Sequence, residues 1–109
     1  MYVYNLTAVV EQSVLADWQE WFAEVYEPTL AAREGLKVLV YKVLGAEEAQ
    51  FAIHHEMSTT SDLQEFVKGQ LQALVNQASK RFGEKVLFFG GAGIGLVQTF
   101  TYDRKKFLR

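Results

Sequence analysis

Residues 13–35 read SVLADWQEWFAEVYEPTLAAREG, and this stretch decides the fold. Its apolar side chains recur every three or four positions, which is typical of one face of an amphipathic helix, and acidic side chains solvate the other face. Trp18, Trp21 and Phe22 lie close together within it. Rings of this size need a broad apolar surface to pack on, and in so short a chain only a β-sheet can supply it. The stretch therefore predicts a long helix that lies on a sheet.

The ends and the interior of this helix carry sequence signals. Ser13 is a candidate N-cap, and Gly35 is a candidate left-handed residue at the C-terminal end. Pro28 falls inside the helical pattern. Because proline has no N–H and its ring crowds the carbonyl four residues earlier, that of Glu24, we expect the helix to kink or restart there.

Four further segments are rich in β-branched and aromatic residues, which predicts strands. They are residues 2–10, 36–44, 49–57 and 85–100. A second amphipathic helix is predicted to begin at a capping box of Ser61 and Gln64 and to end at Gly83. Gly69 in its middle lowers helix stability and is a candidate position for a bend.

The order of these elements is βαββαβ, which a four-stranded antiparallel sheet with both helices on one face satisfies. We therefore predict an α+β protein of ferredoxin-like topology, with the first and third strands central and the second and fourth at the edges. Strands one, two and four are apolar on both faces, although the helices cover only one. We expect the other face to be buried against the same face of a second copy, as a homodimer. Residues 1–100 are predicted to form one domain, followed by a basic tail at residues 101–109.

Composition excludes several classes of function. The 109 residues carry a net charge of −2 and include no cysteine, so disulfides and thiolate chemistry are excluded. Because the last nine residues are basic, the body is acidic, which argues against a nucleic-acid partner. The first ten residues, MYVYNLTAVV, lack the features of a signal peptide, and no apolar run approaches the ~20 residues that cross a bilayer. We expect a cytoplasmic protein without a membrane partner.

The run GGAGIG at residues 90–95 invites comparison with a dinucleotide-binding loop. A G-x-G-x-x-G motif starting at Gly91 would need glycine where Leu96 stands, and too little chain follows for a crossover helix and a further strand. Sixteen extended residues would span ~53 Å, which exceeds the expected width of the domain, so we expect a bend or bulge in this run. Gly91, Gly93 and Gly95 share one face of an extended strand, which would leave room for a bulky side chain or a small cavity. Beyond the bend, the chain is expected to pair with its own first half or, preferably, with the partner's edge strand.

Polar side chains of the first and third strands gather on the helix-free face of the predicted sheet. They are Asn5, Thr7, Gln50, His54 and Glu56. Adjacent strand residues point to opposite faces, so His55 lies on the other, more apolar face. The patch is either a hydrogen-bonded network inside a dimer or a ligand-binding, acid–base set in which His54 is the general base and Asn5 orients the ligand. His54 and Glu56 supply only two metal ligands, so we expect neither a metal nor another cofactor.

Several motifs resemble a known family of short bacterial proteins. They are YNLT in the first strand, DWQEWF in the first helix, a proline seven residues after the second tryptophan, and KRFG before the last strand. The resemblance covers most of residues 1–89. It departs after Phe89, where the glycine run replaces an ordinary strand, and near His54, where the family pattern implies glutamine. The family is catalogued as a domain of unknown function.

The resemblance implies a ferredoxin-like fold of the dimeric α+β barrel type, and it implies no activity. The broader barrel group includes small monooxygenases and haem-degrading enzymes, whose sites lie between sheet and helices. Two hypotheses follow. The first is a homodimeric binding or interaction module without catalytic activity, because no complete catalytic constellation is present in the sequence. The second is a small cofactor-independent monooxygenase or isomerase in which His54 abstracts a proton from an acidic phenol or an α-carbonyl carbon. A small-molecule ligand fits either.

Overall fold

The computed structural model describes the backbone of residues 2–94 and the side chains of residues 2–91. Four strands form one antiparallel sheet in the order β2-β3-β1-β4, so β1 and β3 are central, as predicted. The strands are β1 Tyr2–Val10, β2 Lys37–Lys42, β3 Ala49–Met57 and β4 Val86–Ile94. Two helical segments, residues 12–31 and 60–82, connect them and pack on one face. The predicted α+β fold with βαββαβ order is confirmed.

The first helix changes its hydrogen-bonding pattern along its length. It consists of the 3₁₀ turn Gln12–Val14, the α-helix Leu15–Trp21, the π turn Phe22–Tyr26 and the α-helix Glu27–Ala31. Four of its buried side chains recur every four residues: Trp18, Phe22, Tyr26 and Leu30. This spacing is wider than the 3.6 residues of an α-helical turn, and the π turn, with its i→i+5 bonds, keeps the four on one face.

The structure corrects one expectation about this helix and bears out another. The Ser13 hydroxyl does not cap the helix but donates a 2.7 Å hydrogen bond to Oε1 of Glu11, because the chain enters the helix one turn earlier as a 3₁₀ turn. A new α-helical segment begins at Glu27, directly after the π turn, with Pro28 in its first turn, so the α-helix restarts at the proline as predicted, without a non-helical residue between the two segments. Gly35 has φ +82° in the turn before β2, the left-handed conformation that its position predicts.

The second helix begins two residues before the predicted capping box. Thr59 has extended backbone and its Oγ1 accepts the N–H of Asp62 at 3.1 Å, so Thr59 is the N-cap and the box of Ser61 and Gln64 is wrong. The hydroxyl on the last non-helical residue satisfies the free N–H, and Ser61 already lies inside the first turn. Gly83, with φ +60°, ends the helix as predicted.

The second helix also contains a π turn. Its segments are Thr60–Phe66, the π turn Val67–Leu71 and Gln72–Phe82. The buried Phe66 and Leu71 are five residues apart, and one π turn spans that distance. Gly69, a candidate bend in the sequence, lies within this turn.

β4 pairs with β1 without interruption from Val86, opposite Val10, to Ile94, opposite Tyr2. The bend or bulge expected in the glycine run is therefore wrong as far as Ile94, because β1 offers a continuous partner along this whole length. Residues 95–100, the basic tail at residues 101–109 and the expected pairing with a partner's edge strand lie outside the described residues.

The two faces of the sheet differ in what covers them. The helices bury one face in an aromatic core whose largest fully buried side chains include Trp18, Trp21, Tyr26, Phe22, Phe51 and Phe66. The described helices do not cover the other face, where Leu87 and Phe89 are 47% and 58% exposed. We call this the open face. No helix within residues 2–94 has the length and apolar character needed to span a membrane.

Candidate functional site

The open face carries the five polar residues that the sequence groups together. Strand register places Asn5 of β1 directly opposite His54 of β3, and Thr7 follows two positions along β1 on the same face. Gln50 and Glu56 lie on either side of His54 along β3. Among the described residues, no hydrogen bond joins two of these five side chains. The strands therefore bring Asn5 and His54 together, whereas the other three surround them at a distance.

His54 is only 6% exposed, although no described helix covers it. The ring of Tyr41 on β2 flanks the imidazole, with ring centroids 5.0 Å apart. Burial lowers the pKa of His54 below its ordinary value of 6.5, and the Glu56 carboxylate partly opposes this shift. The imidazole is therefore neutral at pH 7 and has a nitrogen that can accept a proton or a hydrogen bond.

The amide oxygen of Asn5 has an unusual environment. Asn5 Oδ1 is buried and has no hydrogen-bond partner among the described residues. A buried polar atom without a partner costs about 1–3 kcal/mol, so such atoms in native proteins usually mark a missing donor. The open face thus holds a neutral imidazole beside an acceptor that lacks its donor.

A second histidine site lies on the helix-covered face. The imidazole of His55 is fully buried, with Nε2 2.6 Å from the hydroxyl oxygen of Tyr26 and Nδ1 3.1 Å from the backbone carbonyl oxygen of Tyr4. Because a carbonyl oxygen can only accept, Nδ1 carries the proton and donates. In a neutral imidazole Nε2 is then the acceptor, and the Tyr26 hydroxyl donates to it. The chain of bonds therefore runs from Tyr26 through His55 to the backbone of β1.

Burial keeps both side chains of this network neutral. It lowers the pKa of His55 from 6.5 to about 4, against the opposing effect of the Tyr4 carbonyl, and the neighbouring His54 lowers it further. Burial also raises the pKa of Tyr26 well above its ordinary value of 10. At pH 7 neither group gains or loses a proton readily, so the network holds β1, β3 and the first helix together rather than supplying an acid or a base.

A cavity of about 160 Å³ lies between the sheet and the second helix. Its walls are Tyr4, Leu6, Val67, Leu71, Gln72, Val75, Phe88 and Gly90. The ring of Tyr4 crosses diagonally towards β4 and its hydroxyl lies over Gly90, where the Cβ of any larger residue would meet the hydroxyl and would lie 2.7 Å from Cζ. The room for a bulky side chain therefore lies at Gly90 on the helix-covered face, where Tyr4 occupies it, and not at Gly91 on the face where the sequence predicted it. At Gly91, on the open face, a Cβ would meet nothing within 4 Å.

Sequence reasoning assigned His55 to the apolar face but did not find its partner. The signal was present, since Tyr26 follows Trp18 and Phe22 at four-residue steps, but an ideal α-helical period rotates position 26 away from the sheet. The π turn brings the side chain of Tyr26 back towards the sheet. Within residues 2–94, no three His, Asp or Glu side chains are grouped so that they could hold a metal ion.

The profile of a protein family described as a domain of unknown function, DUF4286, matches residues 1–92. The chain belongs to the DUF4286 family. The match extends over the first three strands, both helices and β4 up to residue 92 of this DUF4286 protein, and it confirms the resemblance found in the motifs of its first strand, first helix and KRFG segment. No curated protein sequence matches this DUF4286 chain.

Solved structures share the fold of this DUF4286 protein at low sequence identity. One, from Deinococcus radiodurans, is provisionally assigned as an antibiotic biosynthesis monooxygenase; it is 12% identical, with a TM-score of 0.64, over 93% of this chain and 100% of that one. A dimeric ferredoxin-like protein from an uncultured marine organism is 16% identical, with the same TM-score and coverage. A protein of the ethyl tert-butyl ether D family from Bacillus halodurans is 15% identical, with a TM-score of 0.59, over 86% of this chain and 100% of that one. At these identities the likeness establishes the ferredoxin-like fold alone.

Proposed function

We propose that this DUF4286 protein is a homodimeric binding module without catalytic activity, and that two copies pack through their open faces. The observation that carries the proposal is the exposure of Leu87 and Phe89 on a sheet face that the described helices leave uncovered. Large apolar side chains grouped on one face of a soluble protein typically mark an interface. The dimeric ferredoxin-like neighbour supports a second copy as the occupant.

The open face combines apolar and polar side chains. Leu39 and Tyr41 lie on the edge strand β2, Leu87 and Phe89 lie on the opposite edge strand β4, and a Lys37–Glu56 cross-strand pair marks one end of β2. The central strands carry polar side chains, so a second copy packed on this face would meet apolar groups at both edges and polar groups between them. Asn5 Oδ1, which lacks a donor within the described residues, lies in the middle of the sheet where a second copy would approach.

The area of the sheet fits a dimer of modest size. Three strands of nine residues are about 30 Å long and β2, with six residues, is about 20 Å long, so at about 4.8 Å per strand the flat projection of the face is roughly 530 Å². A standard interface buries about 800 Å² on each partner, and side-chain relief makes the accessible area larger than the projection. The face can therefore supply a specific interface without any further element.

Light scattering on the full chain tests this proposal. We expect the wild type to have about twice the chain mass of 12.4 kDa at micromolar concentration. Phe89→Glu places a charge in the interface and should weaken association at least about 30-fold, as expected when a large aromatic anchor is lost. Leu44→Glu is the matched control, because Leu44 is 76% exposed in the turn between β2 and β3 and lies outside the four strands. A monomeric wild type, or a Phe89→Glu variant as dimeric as Leu44→Glu, contradicts the proposal.

A cofactor-independent monooxygenase or isomerase with His54 as general base is a second candidate. The specific observation in its favour is the lowered pKa of His54, which keeps the imidazole unprotonated at pH 7 beside Asn5. If this candidate is right, oxygen uptake or proton exchange with an acidic phenol should fall about 100-fold or more in His54→Gln. Wild-type protein that turns over no such compound, or a His54→Gln variant with unchanged activity, excludes it. The cytoplasmic location expected from the sequence stays a prediction.

A further inference from the structure

We propose that the cavity between the second helix and the β1–β4 half of the sheet binds a single uncharged aromatic ring that carries a hydroxyl group, a ligand of the phenol class. This site is distinct from the open face, because its walls belong to the helix-covered side of the sheet. The proposal therefore does not depend on the dimer, and either can fail without the other.

The volume of the cavity limits the size of its occupant. A cavity of about 160 Å³ is close to the engineered apolar cavity of about 150 Å³ that binds benzene in another protein. The cavity is partly open to solvent, so a bicyclic or larger ligand would extend out of it and be only partly buried. The space is therefore suited to one six-membered ring.

The composition of the walls selects the chemistry of the ligand. All eight lining residues are uncharged, and five of them are apolar: Leu6, Val67, Leu71, Val75 and Phe88. A charged ligand would lose its hydration without gaining a counter-charge, so the cavity selects against ions. An aromatic ring can pack against the apolar walls, and its transfer from water to these walls is favourable.

Two polar groups in the walls can recognise a hydroxyl. The Tyr4 hydroxyl can donate to the oxygen of a ligand. Gln72 is exposed to solvent and its Nε2 donates a 3.1 Å hydrogen bond to Oδ1 of Asn76, so its Oε1 is an acceptor for which a ligand hydroxyl competes with water. A donor and an acceptor that together meet one hydroxyl group favour phenol over benzene.

Tyr4 and the π turn hold part of the cavity wall in place before any ligand binds. The backbone carbonyl of Tyr4 accepts from the buried His55, and the ring lies over Gly90, where only glycine leaves space for it. The π turn Val67–Leu71 presents both of its terminal side chains to the cavity, and π turns inside α-helices are frequent at functional sites. A site fixed in this way loses little entropy on binding.

Titration of the full-length protein with phenol, followed by two-dimensional NMR, tests the proposal, with benzene as the comparison ligand. Tyr4→Phe removes the hydroxyl and keeps the ring, so it should weaken phenol about threefold to tenfold, the range for one hydrogen bond, and leave benzene unchanged. Val75→Phe fills the cavity and should abolish binding of both. Val25→Phe is the matched control, because Val25 is half-buried in the first helix and does not line the cavity. Circular dichroism establishes that each variant is folded.

We expect saturable phenol shifts at Tyr4, Leu71 and Gln72 in the wild type and in Val25→Phe. The absence of saturable shifts at the cavity walls overturns the proposal, as does a folded Val75→Phe variant that binds like the wild type. If Tyr4→Phe binds phenol as tightly as the wild type, the proposed recognition of the ligand hydroxyl by Tyr4 is wrong. Because Tyr4→Phe changes only one atom, this test does not depend on whether Val75→Phe folds.

Discussion

The hydroxyl of Tyr26 donates a 2.6 Å hydrogen bond to Nε2 of His55 in the buried core. This bond joins the first helix to β3. The other imidazole nitrogen, Nδ1, donates to the backbone carbonyl oxygen of Tyr4 and so joins β3 to β1. Three elements that are distant in sequence are thus tied at one point by polar groups that water does not reach. Such a network stabilises the fold only while every member has its partner.

Tyr26→Phe should destabilise the protein by about 1–3 kcal/mol, because it leaves Nε2 of His55 buried without a donor. Replacing both partners should cost less than the sum of the two single changes, since no polar atom is then left unsatisfied. Urea unfolding of Tyr26→Phe, His55→Leu and the double variant measures this coupling. Strictly additive free energies of unfolding would contradict the hydrogen bond.

Stability should fall as the pH is lowered from 7 to 5. The folded-state pKa of His55 is about 4, below the unfolded value of 6.5, so in this range the unfolded chain binds more protons than the folded one. The stabilisation is fully present above pH 6.5 and is lost as the pH falls towards 4. The expected loss between pH 7.5 and pH 5 is about 2 kcal/mol.

Urea unfolding at a fixed protein concentration across this pH range measures the effect. His54 also has a lowered pKa and contributes in the same direction, so the variants His54→Gln and His55→Leu separate the two. We expect His55→Leu to flatten most of the dependence and His54→Gln to flatten less of it. A wild type whose stability is constant from pH 7.5 to pH 5 would show that His55 is not buried as a neutral group.

Gly90→Ala should destabilise the protein by about 1–3 kcal/mol, because its Cβ would meet the Tyr4 hydroxyl and the ring would have to move. Gly91→Ala is the matched control on the neighbouring residue, where a Cβ has free space and less backbone entropy is lost on folding. Thermal unfolding of both variants provides the comparison. Equal melting temperatures would mean that Tyr4 does not lie over Gly90.

Element order and the sheet face on which each strand residue lies could be predicted from the sequence because alternation and helical spacing are strong signals. The limits of β1 and β3 agree with the prediction. The five polar residues predicted to lie together on the helix-free face all lie on the open face. The helix starts were less predictable, because Ser13 and Ser61 are residue types as suitable for an N-cap as Thr59. Only the path of the backbone decides which hydroxyl meets a free N–H.

The helix-side features could not be found from periodicity alone. Both π turns shift the helical phase, so the burial of Tyr26 and the paired approach of Val67 and Leu71 to the cavity depend on a local change of hydrogen bonding. The diagonal approach of Tyr4 to Gly90 is a tertiary contact, and the glycine run alone did not indicate which of its members needs to be glycine.

Isotope-filtered NOE spectroscopy on a dimer mixed from ¹³C-labelled and unlabelled chains tests the open-face interface most directly, because it detects only contacts between copies. We predict cross-chain NOEs from the methyl groups of Leu39 and Leu87 to the aromatic rings of Tyr41 and Phe89, all of which lie on the open face. Cross-chain NOEs confined to the outer surfaces of the two helices, or none at all, would contradict the proposed dimer.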